Sequence, residues 1–210
     1  PGTIPPTPLG VTTDQVKTNP GINNPSLVEP AGPTDPEVGF ISVQSADGKP
    51  LALLANYSLH YVGGVGPGHI SADYFGAFAV KIGQLLGAGP EFVGIMSNGT
   101  SGDINNIDFR GSQEKQPPYG RIQIVANDVA QAVAAAVKQV SHADSVPLAV
   151  AQKELELGLR IPTKDEVEKA REVMKQSKLF PRMETMEQVY ARETVRLADF
   201  PTKVSSPLQI

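Results

Sequence analysis

The chain has 210 residues, of which 40% are hydrophobic and 19% charged, with a formal charge of −4 and no cysteine. A chain of this length can bury roughly 70% of its unfolded surface, so a core needs no staples, and this composition excludes wholesale disorder. The mild negative charge leaves no footprint for nucleic acid or an anionic membrane. No apolar run reaches about 18 residues, so no transmembrane segment is expected, and the lack of cysteine removes disulfides, thiolate zinc sites and thiol nucleophiles.

Residues 1–36 hold nine of the nineteen prolines and little apolar periodicity, which predicts an extended lead-in, lying over the domain or mobile. An α/β core is expected over 37–160. Val38–Ser45 has strand character, Asp47-Gly48 signals a hairpin turn, and Leu51–His60 reads as the returning strand. The first half of that strand is apolar on both faces, as in a covered central strand. Its second half is polar, and by the period-two rule Asn56, Ser58 and His60 share one face.

A glycine-rich connection, Gly63–Gly68, leads to a helix with Ser71 as its candidate cap and Asp73 in its first turn. Its buried stripe is expected at Phe75, Phe78, Ala79, Ile82, Leu85 and Leu86. Glu91–Met96 is a short strand running into Ser97–Asn106, a polar turn. A second amphipathic helix is marked by Ile122, Val125, Val129, Val133, Ala136 and Val140. Val146–Leu159 alternates weakly, as a long strand would.

From 161 to 200 the composition shifts to a charged helical segment. Thr163 and Glu166 form a capping box, and a further helix is expected from about Glu184 to Ala198. Residues 152–200 carry ten basic and ten acidic side chains, which reads as a solvated helical face. Residues 201–210 look like the start of another strand. The opening Pro1-Gly2 and this unfinished strand suggest that both ends are cut points in a longer protein. The fold class is therefore α/β: a mixed sheet with helices packed on it, plus a charged helical excursion near the C-terminus.

Two polar clusters fall where strands end, Asn56/Ser58/His60 and Ser97–Asn106. Open α/β sheets bind ligands outside the carboxyl ends of their strands, so neighbouring strands would bring both clusters to one crevice. His60 is the first candidate metal ligand, because neutral imidazole is a preferred zinc donor. His69 and Asp73 could add ligands or support. His142 reads as a solvated residue after the second helix. The Ser97–Asn106 turn lacks the Gly-Lys-Ser/Thr of a P-loop and only loosely echoes a calcium loop. It carries more polar groups than one turn needs, as a site for a substrate hydroxyl or oxyanion would.

At these residues the sequence resembles a known family. Asn56-Tyr-Ser-Leu-His60, His69-Ile-Ser-Ala-Asp73 with Gly76, Phe92-Val-Gly-Ile and Gly102-Asp103-Ile104 resemble the N-terminal catalytic domain of neutral/alkaline non-lysosomal ceramidases, in particular the bacterial ceramidase-like branch. The resemblance implies a zinc ion held by two histidines, a glutamate and a tyrosine, activating water against an amide. It places the second histidine at His60 and the other three ligands outside this chain. In the hydrolase reading, Asn98, Asp103 and Asn105 are the candidate catalytic residues, expected to orient water or substrate. The family's Gly-Asp-Val-Ser-Pro-Asn appears here as Gly102-Asp-Ile-Asn-Asn-Ile107, with Asn105 where the family has its serine.

The resemblance thus implies a fragment of a zinc-dependent hydrolase of ceramide-like N-acyl amide bonds, acting on a small-molecule or lipid amide and inactive alone. A secreted or periplasmic bacterial protein of lipid metabolism is the matching expectation. The alternative is a non-catalytic domain that binds a small ligand or glycan on the same fold, which the missing serine favours.

Overall fold

A computed structural model of the chain describes residues 19–102, 104–112 and 114–209, with the side chains of 204–209 not described. The described residues divide into two compact units, one ending at Val146 and the other beginning at Pro147. The division falls earlier than the composition shift near 161, because the strand after the second helix pairs with the last strand of the chain.

The first unit is α/β. Strands β1 (Val38–Gln44) and β2 (Pro50–Tyr57) form an antiparallel hairpin, and helix α1 (Asp73–Leu85) crosses to β3 (Val93–Asn98), parallel to β2. Helix α2 (Gly120–Val137) follows, and the sheet order is β1-β2-β3. The hairpin turn is where Asp47-Gly48 places it. Gly48 takes a φ of 82°, a conformation glycine adopts without a Cβ clash, and the Ser45 N–H closes the turn on the Lys49 carbonyl at 2.9 Å.

The core lies between one face of the sheet and the two helices. Leu53 and Ala55 of β2, Tyr74, Phe78 and Ile82 of α1, and Ala130 and Val133 of α2 are all but inaccessible. Tyr74, Phe78 and Ile82 follow a strict four-residue spacing, so the stripe of α1 is turned slightly from the one its phenylalanines suggest, and Leu85 is 39% exposed. In α2 the buried face runs through Ala126, Ala130 and Ala134, small residues that allow close approach, while Val140 lies beyond the helix and is exposed. Gly94 of β3 meets α1 at contact distance: a Cβ there would stand 2.5 Å from the Ala79 carbonyl oxygen.

β2 is central, as expected, but among the described residues of this unit the helices cover only one of its faces. On the other face Ile41 and Val43 of β1, Leu54 of β2, and Val93 and Ile95 of β3 remain exposed. An apolar pattern on both faces records a preference for burial, and it does not identify what buries each face.

The second unit pairs β4 (Gln152–Gly158) with β5 (Lys203–Gln209), antiparallel, and packs α3 (Lys164–Lys175) against α4 (Met186–Leu197). The strand starts at Gln152 rather than Val146. Val146, Leu148 and Val150 lie outside the strand, without a ladder partner among the described residues, and all are exposed. α3 begins in the capping box read from the sequence: the Thr163 hydroxyl accepts from the Glu166 N–H and the Glu166 carboxylate accepts from the Thr163 N–H. Thr185 and Gln188 form a second box at α4.

The backbone and hydroxyl bonds from Thr163 hold Glu166 below the ordinary glutamate value. A carboxylate depressed in the folded state stabilises it above the unfolded value, and that contribution is lost as pH falls through the folded one. Thr163→Ala removes the hydroxyl that caps α3 and bonds the Glu166 carboxylate, and should lower this unit's stability at neutral pH. The penalty should shrink on acidification, measured by paired urea titrations at neutral and acidic pH.

Candidate functional site

β2 ends at Tyr57, so Ser58, Leu59 and His60 lie past the strand and the period-two alignment stops at Asn56. The three polar side chains consequently separate. Asn56 lies on the exposed face, where its Nδ2 donates to Ser97 Oγ of β3 at 2.8 Å, and Ser97 Oγ in turn donates to the Ala55 carbonyl at 3.2 Å. Ser58 is buried, with its Oγ 3.4 Å from Thr100 Oγ1. Gly99 is required beside them, since a Cβ there would come within 2.6 Å of Ser58 Oγ. These contacts seal the two strand ends together, as parallel pairing of Asn56 with Ser97 demands.

His60 goes elsewhere. Its backbone N–H donates to the Ile104 carbonyl at 3.1 Å, which carries the half-buried imidazole to an open cleft of about 220 Å³. The cleft is lined by Asn19, His60, Tyr61, Val62, Gly102, Ile104 and Asn105. It lies beyond the carboxyl ends of β2 and β3, the place where open α/β sheets take ligands. Its volume is below the roughly 300–1,000 Å³ of a full small-molecule pocket. It suits an ion with its water, or one polar group of a larger ligand.

The sequence-derived candidates divide accordingly. Asn105 shares the cleft with His60, and its Nδ2 donates to Asn19 Oδ1 at 2.9 Å. Asn98 is the exposed last residue of β3 and is not among the lining residues. Asp103 lies outside the described residues. His69 Nδ1 is 2.7 Å from the Tyr119 hydroxyl, the two rings stacked with centroids 6.0 Å apart, so it does not face the cleft with His60. Asp73 is occupied by main chain: Oδ1 accepts from the Val62 N–H and Oδ2 from the Gly63 N–H, each at 2.8 Å. His142 is exposed, with its Nε2 3.2 Å from Ser42 Oγ.

Among the described residues, no group of three or more His, Asp or Glu is gathered where it could hold a metal ion. The cleft offers one imidazole, His60, and the neutral amides of Asn19 and Asn105, whereas a zinc site takes three or four His, Cys or carboxylate ligands.

No family model matches this chain, and no curated protein or solved structure matches it either.

Two contributors escape a sequence reading. Asn19 belongs to the proline-rich lead-in, and its contact with Asn105 spans 86 positions. The lead-in is tied down nearby by Asn23 N–H on the Phe109 carbonyl at 2.8 Å and by the Arg110 guanidinium on the Val28 carbonyl at 2.6 Å. Tyr74 is the other. Its hydroxyl donates to the Leu59 carbonyl at 3.0 Å, and burial pushes the phenol well above its ordinary pKa, with Tyr57 and Asp73 adding to the rise. The hydroxyl therefore remains a donor throughout the neutral range. Its four-residue spacing with Phe78 and Ile82 was the available signal.

A larger groove of about 350 Å³ is lined by Lys81, Gln123, Ile124, Ala126 and Asn127, with no His, Asp or Glu among these residues. No helix among the described residues is long and apolar enough to cross a membrane.

Proposed function

We propose that this chain is part of a zinc-dependent hydrolase of N-acyl amide bonds, ceramidase-like, in which His60 supplies one metal ligand. The observation that carries the reading is the meeting of His60 and Asn105 in one cleft beyond the parallel strands β2 and β3. Zinc, when bound, would supply an activated water at neutral pH. The His60 imidazole would hold the metal, with the remaining ligands coming from outside these 210 residues.

Asn105 carries both a donor and an acceptor, so its amide can bind a substrate carbonyl or hydroxyl without holding charge. Asn19 orients it. Asp103 joins Asn105 in the proposed set that orients water or substrate, and Asn98, the exposed last residue of β3, is left out of it because it does not line the cleft. A small-molecule or lipid amide is the matching substrate, and secretion or the periplasm the matching location.

The test is hydrolysis of a fluorogenic N-acyl amide by the protein extended beyond both ends of this chain. Activity should vanish on chelation and return with added zinc. Hydrolysis that survives exhaustive chelation would contradict the reading.

A second reading rests on Asn105 at the position of the family's serine and on the neutral amides that line the cleft. It makes the domain a non-catalytic binder of a small ligand or glycan. Saturable ligand binding without turnover, in a protein free of zinc, would favour it.

A further inference from the structure

His60 sits on a corner of the chain, held at both sides by two consecutive residues at the start of α1. On the N-terminal side the fully buried Tyr74 hydroxyl donates to the Leu59 carbonyl at 3.0 Å. On the C-terminal side the Asp73 carboxylate accepts from the Val62 and Gly63 N–H groups, each at 2.8 Å. Between these grips lie only His60 and Tyr61, whose rings pack with centroids 4.3 Å apart.

Asp73 is not placed as a plain helix cap. One of its oxygens accepts from the adjacent Tyr74 N–H at 2.7 Å, but both oxygens reach back to a loop ten and eleven residues earlier. It does so from a φ of 54°, a region costly for any residue with a Cβ and somewhat easier for aspartate. Its own N–H is anchored on Ser71 Oγ at 2.9 Å. Hydrogen bonds to a carboxylate are roughly twice as strong as neutral ones. A strained backbone that persists next to a cleft is one the surroundings over-determine.

We infer that Asp73 and Tyr74 are positioning residues, a two-sided clamp that fixes the backbone around His60 and so aims its imidazole into the cleft. The inference rests on the reading of His60 as the group the cleft uses. The crossover helix would then carry two tasks, packing the core through Tyr74, Phe78 and Ile82 and setting the site through its first two residues.

The test uses this 210-residue chain and needs no zinc, so its failure is separable from failure of the hydrolase reading. Amide hydrogen exchange at Val62 and Gly63 and the ring resonances of His60 are compared across variants. Asp73→Ala should speed exchange at both amides by at least about tenfold, the loss of one bond to a charged group, and should broaden or split the His60 ring signals. Asp73→Asn keeps one acceptor oxygen and should restore protection at one of the two amides. It also serves if the alanine variant does not fold. Tyr74→Phe should shift the His60 ring signals while leaving Val62 and Gly63 protected.

Val133→Ala, a core truncation in α2, supplies the comparison for a merely structural loss. It should lower the unfolding midpoint without moving the His60 signals. Exchange at Val62 and Gly63 that is no faster in Asp73→Ala than in Val133→Ala would overturn the clamp, as would unchanged His60 signals in both Asp73→Ala and Tyr74→Phe.

Discussion

His60→Ala, made in the protein extended at both ends, is expected to weaken zinc binding by more than about 100-fold and to abolish amide hydrolysis. Loss of a supporting partner typically costs 10–100-fold in metal affinity, and a ligand itself should cost more. The same change should leave the fold intact. The imidazole is half-buried at the rim of an open cleft, and the corner around it is held by main-chain bonds that alanine retains. Zinc titration and the unfolding midpoint, measured on the same variant, separate the two effects. Loss of both together would mean that His60 is a structural residue. Loss of neither would remove it from the site.

Phe78→Ala should have the largest effect on stability. Phe78 is fully buried at the middle of α1, between Tyr74 and Ile82, in the core cluster formed with the sheet and α2. Truncating a buried phenylalanine removes its transfer free energy and leaves a cavity, together about 3–5 kcal/mol. That is a large part of the roughly 5–15 kcal/mol a domain possesses. With a urea slope of about 2 kcal/mol per molar, the midpoint of the first unit should fall by about 2 M. A shift under about 0.5 M on the same slope would mean that the α1–sheet interface is not the core of this unit.

The fold was largely legible because the signals that specify it are local. Asp47-Gly48 marked a hairpin that forms there, and the apolar spacing of α1 and α2 located both helices. Thr163 and Glu166 fixed the start of α3 to the residue. What was misread depends on partners distant in sequence. The period-two rule carried Asn56, Ser58 and His60 onto one face, but the strand ends at Tyr57, where the pull of Ile104 on the His60 backbone replaces the ladder. The apolar outer face of the sheet could not be distinguished from a covered one, because hydropathy carries no information on its cover.

The site was half legible. His60 and Asn105 were singled out and share a cleft, whereas Asn98 ends β3 away from its lining. Asn19 was invisible because only tertiary contact brings the lead-in to Asn105. Asp73 was noticed as a possible ligand, yet its oxygens face backbone N–H groups, a role no spacing rule announces.

The most direct test of the central proposal is the zinc content of purified protein by elemental analysis, on this 210-residue chain and on one extended at both ends. The account predicts close to one zinc per molecule in the extended protein and little in the short chain, because His60, the one histidine among the described residues that line the cleft, cannot hold the ion alone. Extended protein that carries no zinc and takes up none from solution would contradict it, and would leave a ligand-binding cleft on an α/β domain.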